Sequence, residues 1–199
     1  MKKKLLIATH NQAKLKELKQ FLAPLLPTTE FISLSDLNIS EEPEETGKTF
    51  FANAKLKAEY YAKYTNLPTL SDDGGLVIDS LNGEPGVHSN RWMGHRGTDQ
   101  ELIEYCLKQM RGIPKDKRLA RFETCLYYVD PVENMHLNET GVIEGSISER
   151  ASRKIEKGYP YRSVFRVVKF GKFYTDLTAD EHSQINHRLQ ALKRLALKL

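Results

Sequence analysis

The chain contains few cysteines, a single tryptophan and no long apolar run. Its two cysteines, Cys106 and Cys125, are too few for a disulfide framework, and they lack the close spacing of a metal site. We predict reduced thiols and a cytoplasmic location. The apolar run Leu5–Ala8 stops at Thr9, short of the roughly 7–15 apolar residues of a secretory signal and the roughly 20 of a membrane span. No membrane partner is therefore expected.

Composition and length favour one globular domain. With 199 residues, 40% hydrophobic and 28% charged, the chain can bury a substantial core, so we predict a single domain over residues 1–199, with room for a smaller lobe. The net charge of +4 permits a polyanionic ligand without demanding nucleic acid.

Short apolar strands alternate with amphipathic helices, which predicts an α/β fold. An acidic segment over residues 36–47 is predicted as a loop, and Thr49 as the N-cap of the helix that follows it. We predict strands at 5–8, 31–34, 67–71, 118–129, 135–137, 141–147 and 164–168, and helices at 12–22, 50–64 and 100–110 and at the C-terminus.

The run Ser71–Leu76, Ser-Asp-Asp-Gly-Gly-Leu, carries the strongest chemical signal. Adjacent carboxylates followed by two glycines suit a divalent cation beside a phosphate, at the carboxyl end of a strand where α/β sheets bind ligands. The alternative is that Asp73-Gly74 forms a hairpin turn. The run alone favours neither interpretation.

Three other sets of polar residues indicate a phosphate or metal site only when they are considered together. Thr9, Asn11 and Lys14 open a helix, whose N-terminus attracts phosphate, although Asn11 can equally be a simple cap. Asn53 and Lys57 lie four residues apart and share a helix face, so Lys57 can reach the same phosphates or remain solvated. Glu45 is a candidate ligand for Mg²⁺, with Asp73 as its partner, or one more charge in an exposed loop.

Along nearly its whole length, the chain resembles the inosine triphosphate pyrophosphatase family, a group of house-cleaning nucleoside triphosphate pyrophosphohydrolases. Several ordered motifs at matching separations are far more specific than any one of them. The matching segments are Thr9–Lys14, Glu45–Phe50 with Asn53-Ala54 and Lys57-Ala58, Ser71–Leu76, Leu81–Arg91, and Ile185–Arg188 with Ala191-Leu192.

The resemblance implies an elongated α/β fold with a central mixed sheet flanked by helices, two lobes with the active-site cleft between them, and a homodimer. It implies hydrolysis of a nucleoside triphosphate to the monophosphate and pyrophosphate with Mg²⁺ held by Glu45 and Asp73. Asp73 would activate the water, supported by Asp72. Thr9, Asn11, Lys14, Asn53, Lys57 and Gly74 would bind the substrate on its phosphate side.

By the same resemblance, His187 and Arg188 would donate to the oxo group of hypoxanthine or xanthine and reject adenine. This chain departs from the family at the base-binding segment, where Tyr159 or Tyr161 can still stack on a base but Arg162 replaces an aspartate. His182 stands in place of a lysine, and Gly74 replaces a serine. We therefore hypothesise retained hydrolysis with an altered or relaxed base preference.

Two other functions remain open from sequence. One is a nucleotide-binding protein of the same fold with impaired catalysis, favoured by the substituted base contacts and opposed by the retained acidic and lysine residues. The other is a nucleic-acid binder using residues 150–157 and the basic C-terminal helix, which lacks interleaved aromatic residues. No stable nucleic-acid partner is expected.

Overall fold

The computed structural model describes residues 3–199, and over these residues the chain forms a seven-stranded sheet and five α-helices. The α/β prediction is confirmed. In chain order the elements are β1 (Lys3–Ala8), α1 (Gln12–Leu25), β2 (Thr29–Ser33), α2 (Phe50–Thr65), β3 (Thr69–Ile78), α3 (Asp99–Gln109), β4 (Leu119–Asp130), β5 (Met135–Ile147), β6 (Phe165–Val167), β7 (Lys172–Phe173), α4 (Ala179–Ile185) and α5 (His187–Ala196).

The sheet is mixed, with the strand order β2-β1-β3-β4-β5-β6-β7. Strand β1 pairs in parallel with β2 and with β3, and its last residue, Ala8, lies opposite Ser71. Strands β5, β6 and β7 pair in antiparallel fashion. Parallel pairing at one side and antiparallel pairing at the other explain why the sequence mixes buried apolar runs with alternating ones.

The acidic motif lies inside a strand, which corrects the sequence prediction. Strand β3 does not end at Ser71 but continues to Ile78, so Asp73-Gly74 is not a hairpin turn either. Asp and Gly disfavour strands locally, but β3 lies between β1 and β4 and has a partner on each side, and tertiary pairing overrides propensity. Because β1 ends opposite Ser71, the carboxylates lie just beyond the end of β1.

Other boundaries differ from the predictions in smaller ways. The strands predicted at 135–137 and 141–147 form one strand, β5. The predicted C-terminal helix is α5, and the short helix α4, which was not predicted, is separated from it by Asn186, whose backbone is extended. The predicted loop over 36–47 is confirmed after a short 3-10 turn at Ser35–Leu37. Thr49 caps α2 as predicted, accepting a hydrogen bond from the Ala52 amide at 3.1 Å.

The chain divides into two compact units. The first consists of the residues up to Asp73, then Thr124–Gly141 and Arg188–Leu199, and the second consists of Gly74–Glu123 and Val142–His187. In the first unit, leucines of α1 and α5 pack with β1, and alanines of α2 pack on β4. In the second unit, α3 packs with Leu76, Ile78 and Phe165. Both cysteines are buried and free, as predicted.

No helix within residues 3–199 is both long enough and apolar enough to cross a membrane.

Arg118 holds the second unit together from inside. Its side chain is 5% exposed and donates to the carbonyl oxygens of Met110, Ile113, Ile147 and Ser148, at 2.6 to 3.3 Å. These contacts join the residues after α3 to the end of β5. A guanidinium has five N–H donors and can satisfy all four carbonyls, whereas the ammonium of a lysine has only three.

We predict that Arg118→Met lowers the free energy of unfolding by about 2–4 kcal/mol, because it leaves buried carbonyls without donors. Arg121→Met is the matched control, since Arg121 pairs with Asp79 and Glu123 near the surface and should cost less than about 1 kcal/mol. Urea unfolding of both variants measures the difference. Equal losses would contradict the internal role of Arg118.

Candidate active site

The turn between β1 and α1 places a lysine beside the acidic motif. Asn11 caps α1, and its Oδ1 accepts from the amides of Ala13 and Lys14 at 2.9 and 3.1 Å, while Thr9 Oγ1 accepts from the Asn11 amide. The capping alternative therefore holds for this oxygen of Asn11. The cap fixes Lys14 in the first helical turn, where its Nζ lies 3.1 Å from Asp72 Oδ2.

Asp72 is a fully buried carboxylate surrounded by donors. Arg188 Nε donates to its Oδ2 at 3.1 Å, Thr124 Oγ1 donates to its Oδ1, and Lys14 forms an ion pair with it. Burial opposes its ionisation, but Arg188, Lys14 and Thr124 outweigh burial and hold the pKa of Asp72 well below its usual range. Asp72 is therefore ionised and fully engaged at neutral pH.

Asp73 and Glu45 share one ammonium group. Lys57 Nζ lies 2.8 Å from Glu45 Oε1 and 3.0 Å from Asp73 Oδ1, and it also donates to the Asp72 carbonyl at 3.2 Å. Burial disfavours the charged lysine, but Asp73 and Glu45 outweigh burial and raise the pKa of Lys57 above its ordinary value. The sequence predicted that these residues come together, and the structure brings them together.

One oxygen of Asp73 has no partner. Asp73 is 8% exposed, and its Oδ2 is buried without a hydrogen bond among the described residues. Burial raises the pKa of Asp73 above its usual range in spite of Lys57 and Lys14. A buried carboxylate oxygen of this kind is costly unless something binds it. Asp73 therefore combines a raised pKa with an oxygen ready for a cation or a proton.

The donor set fits Mg²⁺. Within residues 3–199, no three His, Cys, Asp or Glu side chains converge on one point. Mg²⁺ needs only one or two carboxylates, because waters and substrate phosphates supply its other ligands. Glu45 and Asp73, with its orphaned oxygen, meet that requirement.

Two residues of this cluster escaped the sequence analysis. Glu17 is 8% exposed on α1 and accepts from Arg188 at 2.5 Å, and Thr124 lies buried in β4. The signal for Glu17 was an acidic residue within the run of leucines that forms the buried face of α1. We call Lys14, Glu17, Glu45, Lys57, Asp72, Asp73, Thr124 and Arg188, all in the first unit, the charged cluster.

In the second unit, Arg162 turns inward. It is 4% exposed, its guanidinium lies 3.6 Å from the centre of the Tyr159 ring and 4.7 Å from that of Tyr174, and it donates to Glu156 at 2.9 Å. Cation–π contacts of this kind orient the aromatic rings. The charge reversal seen in the sequence is therefore accompanied by an acidic partner six residues upstream.

The other predicted base-side residues occupy different surroundings within the second unit. The Tyr161 hydroxyl donates to the Ser89 carbonyl at 2.6 Å, and burial raises the pKa of Tyr161. His182 packs edge-on against Tyr174, and His187 stacks on Phe122. Gly74, which was predicted on the phosphate side, is half-buried in β3.

We predict opposite stability effects for two neighbouring isosteric substitutions, measured by thermal unfolding with a chelator present. Asp72→Asn should lower the free energy of unfolding by about 3 kcal/mol, because it removes one side of a buried ion-pair network. Asp73→Asn should leave it within about 1 kcal/mol of the parent or raise it, because the ionised Asp73 is disfavoured by the fold.

The pH dependence separates the two residues further. Since the pKa of Asp72 is lowered by folding, its contribution is present at neutral pH and is lost as the pH falls below the ordinary carboxyl range. The parent should therefore lose stability in acid more steeply than Asp72→Asn. Parallel acid profiles, or equal losses for the two variants, would contradict this assignment.

Curated relatives match the chain over nearly all of both lengths. The dITP/XTP pyrophosphatase of Bacillus subtilis is 42% identical over 194 residues, covering 98% of this chain and 96% of the relative. The dITP/XTP pyrophosphatase of Haemophilus influenzae is 37% identical over 200 residues and covers all of both chains.

Solved structures agree with the fold. The Ham1 protein of Staphylococcus aureus superposes with a TM-score of 0.84 at 32% identity, covering 98% of this chain and 97% of that one. A HAM1 protein of Coxiella burnetii gives a TM-score of 0.85 at 34% identity, covering 98% of both. The model of the Ham1 family matches residues 5–198. The sequence and structure comparisons thus agree, and this chain belongs to the Ham1 family.

Proposed function

We propose that the protein hydrolyses nucleoside triphosphates with deaminated purine bases, such as dITP and XTP, to the monophosphate and pyrophosphate. The observation that carries the proposal is the Lys57 ammonium shared by Glu45 and Asp73, next to a buried Asp73 oxygen with no partner. The relatives named dITP/XTP pyrophosphatase support the choice of substrate.

The charged cluster provides the groups that a triphosphate tail needs. The start of α1 presents backbone amides and the positive end of the helix dipole, and Thr9, Asn11 and Lys14 lie there. Lys14 and Lys57 neutralise carboxylates in the protein alone, and each can turn its ammonium to a phosphate oxygen when substrate binds. Asn53 accepts a hydrogen bond from the Gly47 amide just before α2 and so fixes the end of the loop that carries Glu45.

Glu45 and Asp73 are the residues that would hold Mg²⁺, and the ion would offset negative charge on the phosphate oxygens. Asp73 takes a proton from the attacking water, which its raised pKa favours. The water oxygen bonds to the α-phosphorus, and the bond from that phosphorus to the oxygen bridging to the β-phosphate breaks, so pyrophosphate leaves. Asp72 cannot serve as this base, because Lys14, Arg188 and Thr124 engage it. It positions those groups instead.

Base recognition is assigned to the residues named from the sequence. Tyr159, with Arg162 against one face of its ring, is the proposed stacking partner. His187 and Arg188 are the proposed donors to the oxo group, with His182 nearby in sequence. Adenine presents an amino group at that position, so it offers these donors no acceptor and would be rejected. Arg188 would donate to the oxo group while it also pairs with Glu17 and Asp72.

The homodimer and the cytoplasmic location stay predictions. Loss of catalysis is not favoured, because the acidic and lysine residues named from the sequence are all present in the charged cluster. Nucleic-acid binding by the C-terminal helix is opposed by Arg194 and Lys198, which both pair with Glu139. A nucleic-acid binder would show oligonucleotide affinity that falls steeply with salt.

A panel of triphosphates assayed for pyrophosphate release with Mg²⁺ tests the proposal. We expect kcat/KM for dITP and XTP to exceed that for dATP at least about 100-fold, since the proposed donors mismatch adenine. Asp73→Asn should lower kcat about 100-fold or more. Release of single phosphates, or full activity of Asp73→Asn, would contradict the mechanism. Equal rates for all bases would contradict the proposed preference and support the relaxed preference hypothesised from the sequence.

Arg162→Gln tests what the substituted arginine does. Because the guanidinium lies on Tyr159 and pairs with Glu156, we expect its loss to lower kcat/KM for all purine triphosphates by a similar factor, about three- to tenfold. Glu156→Gln, which leaves Arg162 in place, is the control and should have a weaker effect. A change in the ratio between bases would show that Arg162 reads the base directly.

A further inference from the structure

Helix α2 carries a polar stripe on one buried face. Asn53, Lys57 and Tyr61 follow one another at intervals of four residues, which places them on one side of the helix, and they are 1%, 8% and 1% exposed. The adjacent stripe of Ala54, Ala58 and Ala62 packs on β4. Polar groups so deeply buried on a helix need specific partners.

Each residue of the polar stripe holds one point of the acidic loop, defined here as residues 39–47, which has no regular secondary structure. Asn53 Oδ1 accepts a hydrogen bond from the Gly47 amide at 2.8 Å. Any side chain at position 47 would clash with Asn53. Lys57 pairs with Glu45. Tyr61 donates its hydroxyl to the Glu41 carbonyl at 2.8 Å.

The Tyr61 end of the stripe also reaches the turn before α1. His10 Nε2 lies 3.2 Å from the Tyr61 hydroxyl oxygen and 3.3 Å from the Glu41 carbonyl oxygen. Since the Tyr61 proton is given to Glu41, both neighbours of Nε2 are acceptors, and Nε2 must carry the hydrogen. Three groups thus link the turn between β1 and α1, helix α2 and the acidic loop.

We infer that Tyr61 is a positioning residue: with His10, its hydroxyl fixes Glu41 and thereby holds Glu45, four residues on, at the place where it meets Asp73. This inference rests on the proposed function, in which Glu45 and Asp73 receive Mg²⁺. A site held in advance does not have to order its loop when the ion binds, so it binds the ion more tightly.

The tyrosine is well suited to a test that separates its hydroxyl from its ring. The ring packs among Leu34, Ile39 and Leu67, so phenylalanine keeps the packing and removes only the hydrogen bonds. Burial raises the pKa of Tyr61 to about 12, so the hydroxyl remains a donor at all working pH values. Tyr64→Phe is the matched control, since Tyr64 lies on the same helix with 65% exposure.

The experiment compares the parent, Tyr61→Phe and Tyr64→Phe in three measurements. Amide hydrogen exchange with a chelator present reports on residues 41–47, Mn²⁺ binding to the protein alone reports on the ion site, and pyrophosphate release is titrated with Mg²⁺. For Tyr61→Phe we expect about three- to tenfold faster exchange in the loop, and a similar rise in the Mn²⁺ dissociation constant and in the half-saturating Mg²⁺ concentration. The kcat at saturating Mg²⁺ should stay within about twofold.

The inference is overturned if Tyr61→Phe matches Tyr64→Phe in loop exchange and ion affinity. It is also overturned if exchange accelerates throughout the fold, which would indicate a structural role, or if the loop loosens while ion affinity is unchanged. If the parent releases no pyrophosphate from any triphosphate, the proposed function fails, but loop exchange and Mn²⁺ binding still decide the role of Tyr61.

Discussion

The proposed active site depends on a buried ammonium group shared between two carboxylates. Lys57 holds Glu45 from a loop without regular structure and Asp73 from the middle of a strand, and so brings two carboxylates from different parts of the chain to the same point. Bringing carboxylates together in the interior is costly unless a cation lies between them. The lysine supplies that cation in the protein alone, and the orphaned oxygen of Asp73 is the acceptor that we propose for Mg²⁺.

The two adjacent aspartates illustrate how environment separates chemically identical groups. Asp72 contacts Arg188, Lys14 and Thr124, which lower its pKa, so it stays ionised and positions these three groups. Asp73 is nearly as buried but has fewer donors, so its pKa moves in the opposite direction. Opposed pKa values in neighbouring acids are a recognised sign of divided catalytic roles. Here the division follows from alternation along a strand, which turns successive side chains to opposite faces.

Much of this site could be predicted from the sequence, because helical spacing fixes Asn53 and Lys57 on one face and the ordered motifs bring Glu45 and Asp73 to it. Tyr61 continues that spacing but was missed, since an aromatic residue on a helix usually indicates core packing. The end of β3 was also misplaced, because Asp-Asp-Gly-Gly disfavours a strand locally and only the neighbouring strands extend it. The partner of Arg162 was missed although Glu156 is the only acidic residue in 150–157, because the sequence does not show which way the Arg162 side chain turns.

The most direct test of the central claim is the position of a divalent ion in a crystal of the protein with Mn²⁺ and a non-hydrolysable deaminated-purine triphosphate. Anomalous scattering locates Mn²⁺ without reference to the protein model. The account predicts an anomalous peak within coordination distance of both Glu45 and Asp73, with Lys57 turned toward a phosphate oxygen. A peak elsewhere, with Lys57 still bridging the two carboxylates, would contradict it.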